Sequence, residues 1–369
     1  MVACQVFGYQ ETIRAGENER GLCFQEWKSP WLTYFFEGKL LRTMGYRFAT
    51  AALLLTSLLA ANAQTAAPAP PPAPAPPPSP AVPTSPSVSL DVVDLTPKFL
   101  AFYDEAQKEK ANPDQRWELW KKLYGFAAVP PTPEGQAIAR KLLDAAWPKY
   151  PAALDRIRQG VQGIVPKPHD ALDQVSTLLA VDVPIDVRLF VYVGGFEGNA
   201  FTAPAKDGGV IVAIPVEEEH PGLLMTHEFT HALEAEQAGL SLDWRRSIAH
   251  TIFAEGLAMR ATQSIHPGEA DVVYVGEASP GWYERAQAKH AQILADITPH
   301  LAEDSSEAVM RYTMGKGGAG VEREAYYTGW LVIGDLLNHG WTFPRLARVT
   351  DPEMTKLCAE SLARLQQAK

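Results

Sequence analysis

The chain has 369 residues, 46% of them hydrophobic, and a formal net charge of −10 at pH 7. That much apolar material can bury at least one substantial core. An acidic chain without a basic patch argues against nucleic acid and anionic membrane surfaces as partners.

Residues 44–63, MGYRFATAALLLTSLLAANA, have the form of a secretory signal. Arg47 supplies the basic start, Phe48 to Ala60 the apolar stretch, and Ala61-Asn62-Ala63 a small-x-small cleavage site. The apolar stretch is about 13 residues, against about 20 for a membrane span, so no stable membrane insertion is expected after cleavage. A signal preceded by 43 residues is physically awkward, and residues 1–43 are therefore read as upstream sequence, with translation starting at Met44. The expected destination is outside the cytoplasm, periplasmic or secreted. Residues 64–88 hold AAPAPPPAPAPPPSPAVPTSPS, too rich in proline to pack and best suited to an extended spacer. Cys358 is the only cysteine after the signal, so no disulfide framework is expected; its amphipathic surroundings make it a small core residue.

Residues 89–180 read as a helical N-terminal lobe. Thr96-Pro97, Asn112-Pro113 and Thr132-Pro133-Glu134 each set a capping side chain before a proline at a helix start. The stretches that follow carry apolar residues at helical spacing, with Trp117, Trp120, Trp147 and Tyr150 as core aromatics. In residues 181–369 the pattern changes. DVRLFVYVGG (186–195) is β-rich, and GNAFTAPAKDGGVIVAIP (198–215) predicts a hairpin turning at Asp207-Gly208-Gly209. The acidic loop Glu217-Glu218-Glu219 leads to a helix ending at Gly239. Further helices are expected over 245–263, over 281–300, and from Glu322 to the C-terminus with a break near Gly340. The fold class is α+β.

Within the helix before Gly239 stands His227-Glu228-Phe229-Thr230-His231. Residues i and i+4 share a helix face, so His227 and His231 can present two imidazole nitrogens to one metal ion. Glu228 is then placed to reach a water on that ion and act as general base. The alternative is an ordinary helix that contains two histidines. A zinc site of this kind needs a third protein ligand. Glu255 is the candidate: with Ile248, Ile252 and Met259 it lies on one stripe of the next helix, where an unpaired charge would cost several kcal/mol. Its other reading is a core glutamate paired with an arginine such as Arg245 or Arg260. His250 lies off that stripe and is read as supporting or structural; Glu234 and Glu236 are candidates to orient His231.

HExxH followed by a glutamate on the next helix resembles the gluzincin metallopeptidases, the thermolysin-like clan. The wording AEGLA around Glu255, with Tyr326-Tyr327-Thr328-Gly329-Trp330 downstream, is similar to bacterial predicted zinc-dependent proteases of unknown function. The thermolysin pattern has an aspartate four residues after the second histidine, where this chain has Ala235. The resemblance implies a zincin-like fold, a small mixed sheet over the motif helix, with an edge strand that pairs with extended substrate; GVIVAIP or GNAFTAP would be that strand. It also implies a tyrosine or histidine that stabilises the oxyanion, for which Tyr326 and Tyr327 are the candidates.

The sequence thus predicts an exported metallopeptidase. One Zn2+ per chain would be held by His227, His231 and Glu255, Glu228 would be the general base, and a peptide or protein would be the substrate. The alternative is a zinc-stabilised binding protein on a peptidase fold that has lost its activity.

Overall fold

The computed structural model describes residues 88–243 and 245–367. The expected signal, the upstream extension and nearly all of the proline-rich spacer lie outside the described residues.

Four strands form one mixed sheet. They are β1 (Val88–Asp94), β2 (Ile185–Tyr192), β3 (Phe201–Pro204) and β4 (Val210–Pro215), in the spatial order β1-β2-β4-β3. β1, β2 and β4 run parallel, with Val88 opposite Ile185 and Val187 opposite Val210. β3 returns antiparallel along β4, Phe201 facing Ala213. β4 is buried at every position, which explains its unbroken VIVAI run: a strand flanked on both edges and covered on both faces has no use for alternation. The hairpin turns where expected, and Gly208 and Gly209 take φ of 94° and 77°, left-handed values that favour glycine.

β1 is absent from the sequence reading, which opens the folded part on helices. It pairs along its whole length with β2. The crossover from β1 to β2 consists of α1 (Thr96–Lys108), α2 (Pro113–Leu123), α3 (Pro133–Ala146), α4 (Tyr150–Gln159) and α5 (Pro168–Leu179). Asn112 caps α2 in a reciprocal capping box with Gln115, and Thr132 caps α3 through the Gly135 amide. Thr96 does not cap α1. Asp94 takes that part, accepting from the Thr96 amide at 2.9 Å and the Thr96 hydroxyl at 2.7 Å, because the carboxylate at the end of β1 reaches the helix start first. Trp117, Trp120 and Tyr150 are buried as expected and Trp147 half-buried; the two indoles at 117 and 120 stack at 4.8 Å.

After the sheet come α6 (Pro221–Ala238), α7 (Ile248–Ile265), α8 (Asp271–Val275), α9 (Trp282–Ala288), α10 (His290–Ile297), α11 (Ser306–Thr313), α12 (Glu324–Asn338), α13 (Phe343–Leu346) and α14 (Asp351–Gln367). The single helix expected over 281–300 is two, and the C-terminal break falls at Gly340 with φ 85°. The helices and the sheet share one large core, and a smaller cluster gathers around Trp282, Tyr327 and Trp330. Cys358 is fully buried. No helix among the described residues is long and apolar enough to cross a membrane.

Candidate metal centre

α6 ends where the sequence places its stop, at Gly239 in the left-handed conformation. The loop back to α7 closes on Ser247, whose hydroxyl caps the new helix through the His250 amide. α7 is buried on nearly every side, so the apolar stripe through Ile248, Ile252 and Met259 is only part of its covered surface. Glu255 is 4% exposed.

This reversal brings three side chains together. His227 Nε2 lies 3.1 Å from His231 Nε2 and 3.3 Å from Glu255 Oε2, and His231 Nε2 lies 3.4 Å from the same oxygen. Among the described residues, this is the only group of three or more His, Cys, Asp or Glu side chains with donor atoms close enough to hold one metal ion. A tetrahedral ion bonded at about 2.0–2.1 Å sets its donors about 3.3–3.4 Å apart. The observed triangle matches that spacing, and two imidazoles with one carboxylate suit zinc.

Glu255 divides its two oxygens. Oε2 faces the histidines, while Oε1 accepts from Arg246 Nη2 at 3.2 Å. Arg246 is itself placed by its Nε bond to the Thr251 hydroxyl. Glu255 thus has the arginine partner that its structural reading expects, supplied by Arg246 rather than by Arg245 or Arg260; Arg260 instead donates to the Trp330 carbonyl. Burial raises the Glu255 pKa, but the nearby His231 and His227 outweigh it and hold the carboxyl well below the usual carboxylate range. For His227, burial disfavours the charged form, and its hydrogen bond to Glu255 reverses this and raises the pKa.

Glu228 points from the same helix toward β3. Thr202 Oγ1 lies 2.8 Å from Glu228 Oε2 and 3.0 Å from the Glu228 carbonyl, so its one proton can serve either acceptor. β3 is the sheet edge on this side. Of the two strands considered for substrate pairing, GVIVAIP is therefore excluded. As β4, it lies between β2 and β3 and has no free edge.

The two tyrosines separate. Tyr326 is 2% exposed, and its phenol is pushed well above the usual range by burial and then by the charge of Glu255. Tyr327 points into the smaller apolar cluster and meets His290 Nδ1 at 3.1 Å; burial pushes it up to about 12. The helices that carry Glu255 and Tyr326, α7 and α12, cross in contact. A Cβ on Gly256 would lie 2.3 Å from the Gly329 carbonyl oxygen, and one on Gly329 would lie 2.4 Å from the Ile252 carbonyl oxygen. Only glycine at both positions permits this approach.

Other expectations about the surroundings change. Glu236 is exposed, and Glu234 is buried with its Oε1 unpartnered, so neither orients His231 through a hydrogen bond. His250 lies outside the triangle and pairs with Asp351 at 2.5 Å. His266 meets the Thr226 hydroxyl at 2.9 Å. Sequence reasoning also missed Arg246, Thr202 and Arg323. Arg323 opens α12 in the left-handed conformation and stacks on the Tyr326 ring at 3.8 Å. A non-glycine residue is uncommon at such a φ, yet nothing in the residue name signals it.

A scan against protein-family models finds no match, and neither does a search of curated proteins or of solved structures.

Proposed function

We propose that the protein is an exported, periplasmic or secreted, zinc-dependent peptidase of gluzincin type with a zincin-like arrangement of sheet and helices. The observation that carries this reading is the triangle of His227, His231 and Glu255, with Glu228 one residue along the same helix and tied to the edge strand.

A zinc ion held by those three side chains supplies a Lewis acid that makes water a nucleophile near neutral pH. The protein's residues supply the rest. Glu228 takes the proton from the attacking water and passes it to the leaving amine. Thr202 restrains that carboxylate, so its position is set before substrate arrives. Tyr326, kept protonated by burial, donates to the scissile carbonyl oxygen as negative charge develops there. Extended peptide aligns along the free edge of β3.

Metal analysis of the purified protein beside Glu255→Ala tests the ligand set: about one zinc per chain is expected, lost or much weakened in the variant. Glu228→Gln is expected to keep the zinc and lose about 10²–10⁴-fold in peptide hydrolysis. Full activity in Glu228→Gln would overturn the mechanism, whereas zinc binding without hydrolysis in the wild type would favour a binding protein on this fold.

A further inference from the structure

We propose that Arg323 anchors a carboxylate of the substrate beside the bond to be cut, so that the protein acts on peptides presenting a negative charge there. This rests on the peptidase reading above.

Arg323 adopts φ 53° and ψ 40°, a left-handed conformation that costs an L-residue about 1–2 kcal/mol. Strain of this kind persists only where the surroundings hold it, and it gathers at functional sites. Here the surroundings fix the side chain. Its Nη1 donates to the Gly276 carbonyl at 3.2 Å, and the guanidinium carbon sits over Tyr326, 3.8 Å from the ring centre. Tyr326 stands one helical turn before Gly329, whose backbone meets Gly256 beside Glu255, so the stacked pair is carried by the helix packed against α7.

No carboxylate among the described residues pairs with Arg323. Its Nε and Nη2 make no hydrogen bond there either, which leaves one edge of the guanidinium fork open. That edge is the shape that takes a carboxylate through two parallel hydrogen bonds. Charge points the same way. With a divalent ion bound, the centre sets that ion, Arg246 and Arg323 against Glu228, Glu234 and Glu255. Even if all three glutamates are ionised, the sum is positive. A guanidinium near a dication favours an anion that bridges the two, and a substrate carboxylate supplies one.

Two carboxylates have the required chemistry, the C-terminal α-carboxylate and the side chain of an aspartate or glutamate. The test is calorimetric titration of the zinc-loaded, full-length Glu228→Gln protein, alone and combined with Arg323→Gln. Three N-acetylated pentapeptides serve as probes: one with a free C-terminus, its C-terminal amide, and an amide carrying one glutamate. At least one charged peptide is expected to bind tenfold or more tighter than the neutral amide, and Arg323→Gln is expected to bring that ratio to about one with zinc content unchanged. Which charged peptide gains the advantage identifies the source. Equal binding of all three peptides, or an equal loss for all three in Arg323→Gln, overturns the anchor and leaves the peptidase reading standing. Discrimination that depends on Arg323, in a protein whose wild type cleaves no peptide, keeps the anchor and overturns the peptidase. Absence of binding by any peptide overturns the anchor.

Discussion

Replacing Arg246 by alanine separates the contribution of the metal from that of the protein. Glu255 and Arg246 are 5% and 18% exposed at their side chains and 3.2 Å apart. At an effective dielectric of about 20, unit charges at that distance attract by about 5 kcal/mol. Removing one partner of a buried pair costs about 3–5 kcal/mol, since the other charge is left uncompensated. Metal-free Arg246→Ala should therefore lose about 3–5 kcal/mol of unfolding free energy. With zinc present, Glu255 keeps a cationic partner, and the loss should fall to about 2 kcal/mol, the worth of the missing charge-assisted hydrogen bond. Urea denaturation at pH 8, in chelator and in excess zinc, reads both values. The metal-free loss should also shrink as the pH falls and His227, whose pKa is raised by its bond to Glu255, becomes protonated and stands in for the guanidinium. Equal losses with and without zinc, or a metal-free loss under about 1 kcal/mol, would refute the view that Glu255 is a shared ligand of Arg246 and the ion.

Gly256→Ala places a methyl 2.3 Å from the Gly329 carbonyl oxygen and forces α7 and α12 apart, so it should cost about 1–3 kcal/mol by thermal or urea unfolding. Tyr326→Phe should lower the rate of peptide hydrolysis about 10²-fold or more with zinc content unchanged, whereas Tyr327→Phe should leave the rate within about twofold. Burial raises Glu217 to about 8, so the folded state holds a proton that the unfolded chain releases near its ordinary value of 4.5. Its stabilising contribution is thus complete below about pH 4.5 and is lost as pH rises to about 8, at up to about 1.4 kcal/mol per pH unit. Glu217→Gln should flatten that slope in pH-dependent unfolding; an unchanged slope would show Glu217 ionised throughout.

The three side chains of the candidate metal centre were legible because each carries two signals at once. His227 and His231 share a helix face, and Glu255 is a charge on an apolar stripe, a combination that demands a partner. The hairpin and the helix ends were legible from turn and cap chemistry. β1 was missed although VSLDV alternates apolar and polar residues as a half-buried strand does. The run is short, follows the proline-rich spacer directly, and takes its partner from residues 185–191, nearly a hundred positions away. Arg246 escaped for a related reason. Three arginines lie within reach of Glu255 in sequence, and the path of the loop selects among them. The glutamates at 217 and 218 read as a solvated acidic loop. Instead they tie down the chain between β2 and β3, Glu217 accepting from the Gly194 and Phe196 amides and Glu218 from the Gly198 amide. Spacing along the chain cannot show where a backbone amide will point.

The contact between Gly256 and Gly329 has a bearing on how such chains are read. Glu255-Gly256 and Tyr326-Tyr327-Thr328-Gly329 lie some seventy residues apart, yet each glycine exists to admit the other. The two short words are halves of one phrase. The first half brings a metal-facing carboxylate, the second a buried phenol, and the glycines clasp them at a fixed separation. A chain that carries HExxH and both halves is expected to bring a tyrosine to its metal-binding glutamate. A chain with only one half lacks the clasp, and its tyrosine and glutamate have no reason to meet.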